Sequence, residues 1–210
     1  MPSTRKIVQK RTPKLELYKV NLTMDAIELL TTRSSTPRLE APAPSGDDWQ
    51  TIQRAALRAP DHAGLTPWRF IVFNNEVALA KLGEYFVKAT VLNDSETDAK
   101  RLEKVKGLTK RAPMIIAVIA RFVEHPNVPR VEQIASTSCA AFAMQQAAFA
   151  LGYGSIWRTG PYAHHPHMKD LLGLNDQDEI VGYLYIGTPK GKVKIKQEKI
   201  AEPYFSVFGT

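Results

Sequence analysis

Residues 57 to 70 read LRAPDHAGLTPWRF. This stretch gathers Arg58, Asp61, His62 and Arg69 around Gly64 and two prolines. Two further clusters share its character. Arg33, Ser34 and Ser35 follow one helical pattern, and Trp157, Arg158 and Thr159 follow another. All three supply cations and hydroxyl or ring donors, with no nucleophile-and-base pair among them. Such groups suit an anionic cofactor that carries a phosphate and a ring gaining negative charge on reduction.

Other chemistries find less support. His164, His165 and His167 invite a metal reading. Yet Pro166 and the i, i+1, i+3 spacing give them no shared helical face, and no metal site is expected. Gly152-Tyr153-Gly154 follows a helix and lacks the strand, turn, helix order of a dinucleotide-binding turn. Neither a G-x-x-x-x-G-K-[ST] loop nor a G-x-S-x-G elbow occurs. The one cysteine, Cys139, excludes an internal disulfide framework and fits a reducing, cytoplasmic setting. Its Ala-rich surroundings, STSCAAFAM, predict a small core residue.

The elements that must position these groups follow from capping and period. DAIELLTTR predicts a helix capped by Asp25. Ser45 to Asp48 opens a second helix with the stripe Trp49, Ile52 and Ala56, and Pro60 stops it. Phe70 to Phe73 reads as a short strand. Helical stretches follow near 76–91 and 97–110. MIIAVIA, Met114 to Ala120, is apolar throughout and predicts a central strand covered on both faces. Gln133 to Leu151 predicts a long helix, apolar almost all round and therefore buried. Residues 155–158 are extended, 167–172 form a small helix, and Ile180 to Ile186 is the last strand. Taken alone, this order points to an α/β layered structure.

The 210 residues fit one domain with long excursions. The net charge is +7, of which residues 1–23 carry +5. The basic balance therefore belongs to an N-terminal arm, read as a solvated leader ahead of Met24, and neither nucleic acid nor membrane is an expected partner. No stretch approaches the roughly 18 apolar residues of a membrane helix.

The pieces MDAIELLTTRSS, LRAPDH with PWRF, RAPMIIAVIA, PRVEQ, IWRTG and VGYLYIGTP, in that order from Met24 to Pro189, resemble the FMN-dependent nitroreductases, in particular small YdjA-like members. The resemblance implies an α+β fold, with a mostly antiparallel sheet wrapped by helices in an intertwined homodimer. It divides the chain into the arm, 1–23, and an FMN-binding domain, 24–210. It implies that Arg33, Ser34 and Ser35 meet the FMN phosphate and ribityl chain, although the family often carries a second arginine at the position of Ser34. Arg58, His62, Trp157, Arg158 and Thr159 would contact the flavin, and Lys192 would reach the phosphate. Ala147, Ala148, Phe149, Ala150, Leu151 and Gly152 would meet NAD(P)H. The implied activity is hydride transfer from NAD(P)H through FMN to a nitroaromatic, quinone or related acceptor by a ping-pong route. A flavin store or sensor with little turnover is the alternative. The apolar tail residues Tyr204, Phe205 and Phe208 fit a segment that packs on a partner subunit.

Overall fold

The computed structural model describes residues 24–192 and 196–209. The basic arm, 1–23, lies outside the described residues. The strands are β1 (Leu39–Glu40), β2 (Trp68–Phe73), β3 (Met114–Ala120), β4 (Gly154–Arg158) and β5 (Glu179–Pro189). The helices are α1 (Ala26–Thr32), α2 (Gly46–Ala56), α3 (Glu76–Asn93), α4 (Ala99–Lys106), α5 (Arg130–Ala150), α6 (Gly160–Ala163) and α7 (Pro166–Leu171).

Every strand pair is antiparallel. β3 lies between β2 and β5, and β4 and the short β1 pair with successive lengths of β5. The fold is therefore α+β, as the resemblance implied. Alternation of helices and strands along the chain does not by itself require the parallel crossovers of an α/β fold.

β3 explains why MIIAVIA carries no polar residue: all seven positions are buried. Because side chains alternate across a strand, Met114, Ile116 and Val118 face one layer, with Ile52 and Ala56 of α2 and Ala140, Met144 and Ala148 of α5. Ile115, Ala117 and Ile119 face the other, with Leu82 and Phe86 of α3, Val105 of α4 and Met168 of α7. Gly83 of α3, an apparent weakness in a helix, lets α3 approach the next segment. A Cβ there would stand 3.1 Å from the Lys106 carbonyl and 3.2 Å from Thr109 Oγ1.

The long helix differs from expectation on one side. The small residues Ala140, Ala141 and Ala148 let α5 lie close to the sheet and are fully buried. At about 100° per residue, Val131, Cys139 and Phe142 fall on the opposite face. Val131 is 69% and Phe142 42% exposed, and Cys139 is exposed rather than a core residue. An Ala-rich sequence hides this difference, because both faces read as apolar.

β5 carries a bulge opposite Val118 and Ile119, where Val181 is the extra residue. The bulge leaves the Val181 carbonyl to accept a hydrogen bond from Trp157 Nε1 at 3.3 Å. The indole fills the space beside Gly182, where a Cβ would stand 2.2 Å from Nε1. Gly182→Ala is expected to push the indole out and lower stability by about 1–3 kcal/mol, the usual scale of overpacking. The urea midpoint, followed by tryptophan fluorescence, measures this. An unchanged midpoint would show that β4 slides without cost.

Candidate functional site

The segment after α2 is built as a rigid loop. Pro60 carries no amide hydrogen and closes the helix. His62–Gly64 then makes one 3-10 turn. Ala63 and Thr66 have positive φ, 61° and 48°. For residues other than glycine such backbone costs about 1–3 kcal/mol each and persists only where its surroundings enforce it. The enforcing contacts are present. The Asp61 carboxylate accepts from the amides of Leu65 at 3.1 Å and Thr66 at 2.7 Å. From α5, Ser136 Oγ donates to the Pro60 carbonyl at 2.6 Å, and Thr137 Oγ1 donates to the Pro67 carbonyl at 2.8 Å. His62 Nδ1 lies 2.7 Å from Glu132 Oε2. Residues 132, 136 and 137 share one side of α5 and grip both ends of the loop.

The second candidate segment follows α1. The Asp25 carboxylate caps that helix on the amides of Ile27 and Glu28. Beyond Arg33 the chain turns extended, and the Thr36 amide donates to the Ser155 carbonyl at 2.8 Å. Gly154 permits this approach: a Cβ there would stand 2.7 Å from Leu39 Cδ2 and 2.9 Å from Thr36 Cβ. Ser34 is buried. The Arg33 guanidinium lies 5.4 Å from the centre of the Phe142 ring on α5. Among the described residues its Nη1 is buried with no hydrogen-bond partner, as are Thr36 Oγ1, Gln146 Nε2 and Arg158 Nε. Arg33 also lines a cleft of about 500 Å³ with Lys196, Lys199 and one carboxylate, Glu198.

The third segment does not act as one patch. Trp157 joins the layer of α2 and α5, whereas the Arg158 guanidinium lies 5.4 Å from the ring of Tyr185, which belongs to the opposite layer. The strand pleat separates neighbours 157 and 158, so a ligand on one face cannot meet both side chains. Burial pushes the Tyr185 phenol pKa up, and the nearby Arg158 and Arg111 oppose that rise.

The remaining candidates are dispersed. Arg58, Thr159 and Lys192 are exposed. Lys196 and Lys199, which no local pattern in the sequence marks, line the same cleft as Arg33. Along 147–152, Ala148 is fully buried, leaving Ala147, Phe149, Ala150, Leu151 and Gly152 partly exposed. Tyr153 closes this turn by donating to Asp48 Oδ2 at 2.8 Å; burial and that bond push its pKa up to about 12. His165 and His167 stand 5.5 Å apart, and no group of three potential metal ligands occurs among the described residues. Asp61, Glu132, Ser136 and Thr137 were also missed. A short D-x-x-x-L-T loop flanked by prolines was the available signal for Asp61; the α5 residues gave none, being 70 or so positions away.

A profile of the nitroreductase family matches residues 30–188, and the chain belongs to that family. It is 43% identical over 169 residues to the Escherichia coli (strain K12) protein named "Putative NAD(P)H nitroreductase YdjA", covering 80% of this chain and 91% of that protein. A Haemophilus influenzae protein named "Putative NAD(P)H nitroreductase" is 38% identical over 174 residues, covering 81% and 92%. Among solved structures, a nitroreductase-like family protein from Bacillus cereus superposes with a TM-score of 0.75 at 22% identity, covering 90% of this chain and 98% of that one. A nitroreductase with bound FMN from Bacteroides fragilis gives 0.67 at 21% identity, covering 88% and 99%. At these identities the two structures bear on the fold alone.

The Asp61 contacts generate a direct expectation. Asp61→Ala removes the acceptor of two amides and should lower stability by about 1–3 kcal/mol. Hydrogen exchange at Leu65 and Thr66 should accelerate more than exchange in β3. Equal exchange in both proteins would mean that the clamp from α5 suffices.

Proposed function

We propose that this chain is an FMN-dependent oxidoreductase that takes hydride from NAD(P)H and passes it to a nitroaromatic, quinone or related acceptor. The observation that carries this reading is Arg33 Nη1, buried and without a hydrogen-bond partner among the described residues, beside the cleft of Lys196 and Lys199. Buried donors without partners are rare in folded proteins and call for a ligand or water. A phosphate bearing two negative charges meets that need better than a neutral group. Family membership, and the NAD(P)H in the names of relatives, supply the chemical class.

In this reading the residues present fit FMN. Arg33, Lys196 and Lys199 hold the phosphate, with Ser34 and Ser35 on the adjoining backbone. Arg58 and His62 approach the ring from the clamped loop. Trp157 acts through packing under the sheet, and Arg158 brings its charge from the other layer. Bound FMN supplies the hydride chemistry; the chain supplies position and charge. One cleft would serve donor and acceptor in turn, so the oxidised nucleotide leaves first and the kinetics are ping-pong. The active assembly is a homodimer, with the exposed face of α5 and the exposed Tyr204, Phe205 and Phe208 of the tail covered by the second copy. Along α5, Glu132 and Phe142, which meet His62 and Arg33, are ten residues or about 15 Å apart. That spacing suits a site to which two chains contribute different ends. The single cysteine is consistent with a cytoplasmic setting.

Anaerobic stopped-flow spectroscopy tests the activity. NAD(P)H should bleach bound FMN, and p-benzoquinone or a nitroaromatic should restore the colour. Flavin that binds yet stays oxidised under excess NADH and NADPH would replace this reading with a flavin store or sensor. Arg33→Ala should weaken FMN binding by about 1–3 kcal/mol in a fluorescence titration; unchanged affinity would place the phosphate elsewhere. Phe142→Glu puts a charge into the proposed interface. Sedimentation should show a stable dimer for the parent protein, consistent with an interface above about 2,000 Å², and dissociation in the variant. A monomeric parent that retains FMN would refute the shared site.

A further inference from the structure

We infer that Glu132 is a positioning residue for His62, and that it fixes the imidazole as the Nδ1–H tautomer so that Nε2 faces the ligand as a hydrogen-bond acceptor. The inference rests on the flavin reading above and assigns a role to Glu132, which neither the sequence reading nor the comparisons single out.

The geometry begins with the contact itself. Nδ1 and Oε2 are 2.7 Å apart across 70 residues of sequence. A carboxylate only accepts, so the nitrogen facing it must carry the proton. In the neutral ring the other nitrogen, Nε2, is then left with a free lone pair. A hydrogen bond at one ring nitrogen sets the chemistry of the other in this way wherever a histidine is paired with a carboxylate.

Stability is a poor account of this pair. The two side chains are 58% and 47% exposed, and ion pairs in such surroundings contribute little to folding. The loop is already held by Asp61, Ser136 and Thr137. Those contacts fix the backbone, including the positive φ of Ala63 next to His62. What they leave free is rotation of the imidazole about its own side-chain bonds. Glu132 removes that freedom. The arrangement thus orients a ring on an already rigid loop, which is what a ligand contact needs and a tether does not.

An acceptor nitrogen selects a ligand group bearing N–H or O–H. Two sources carry that chemistry in the proposed reaction: the imide N–H of the FMN ring and the carboxamide of the nicotinamide. The shared feature is a polarised N–H on the edge of a flat ring.

Nitrogen-15 spectra of the histidine side chains, recorded on the full-length protein, test the first half without any activity. His62 in the parent protein should show a protonated Nδ1 and an unprotonated Nε2. In Glu132→Leu, which removes the acceptor, the Nδ1–H to Nε2–H ratio should fall at least about tenfold, which corresponds to about 1.4 kcal/mol. Glu132→Asp, which keeps the charge on a shorter arm, should restore part of it. A parent ring already in the Nε2–H form, or a ratio unmoved in Glu132→Leu, overturns the positioning role.

The second half is read by binding. His62→Phe keeps a flat ring and removes both nitrogens. If Nε2 accepts from FMN, His62→Phe should weaken FMN binding about tenfold, and Glu132→Leu by a smaller factor in the same direction. If it accepts from the nicotinamide, FMN affinity should hold while the NADH or NADPH concentration for half-maximal flavin reduction rises by a similar factor and the limiting rate changes less. Unchanged values for both ligands overturn the ligand contact. A protein that never takes up FMN overturns the parent reading and the contact together, while the tautomer ratio still decides the role of Glu132. Thermal unfolding of each variant separates these effects from loss of fold, because an exposed pair should leave the midpoint nearly unmoved.

Discussion

Two proline carbonyls set the terms for the candidate site. Pro60 and Pro67 flank the loop, and neither proline can donate a backbone hydrogen bond of its own. Their carbonyls point toward α5, where Ser136 and Thr137 provide the donors. Polar backbone groups turned inward must find partners or cost stability. Ser136 meets that need at Pro60, whereas the Pro67 carbonyl also accepts from the Arg121 amide at 2.9 Å and shares the Thr137 hydroxyl with the Gln133 carbonyl, 2.9 Å from Oγ1. Gln133, one turn earlier and buried, does the same for the next segment: its side chain donates to the carbonyls of Val123 and Val128 and accepts from the Val123 amide. One end of α5 is therefore an anchor for irregular chain, while its middle packs as core.

The same helix joins the two halves of the site. Near its start it meets the loop of His62, and further along it lies under Arg33. Along the same stretch its outer face carries Val131, Cys139 and Phe142 toward solvent. A helix with one side in the core and the other side apolar and open has a natural complement in a second copy of itself, which is why the proposed assembly and the proposed site share this element. The sheet imposes the opposite kind of rule. Its pleat sends Trp157 and Arg158 to different layers, so two residues consecutive in sequence serve different structural ends.

The sequence alone determined the strands and helices whose patterns had one meaning. MIIAVIA had to be a covered strand because seven apolar residues cannot be half-exposed at low cost. Asp25 had to begin a helix, since its carboxylate satisfies amides that nothing else would. The order of the short motifs was sufficient to place the chain in its family. Tertiary structure decided the rest. Which side of α5 faces the sheet depends on small residues packing closely, and Cys139 looks no different in sequence from the buried alanine beside it. A tail without periodic pattern gives no hint of where it returns, so Lys196 and Lys199 could not be placed beside the Arg33 cleft from sequence. Glu132, Ser136 and Thr137 were illegible for a plainer reason. Their partners lie about 70 residues away, and a hydrogen bond between distant segments has no local period, cap or composition to announce it.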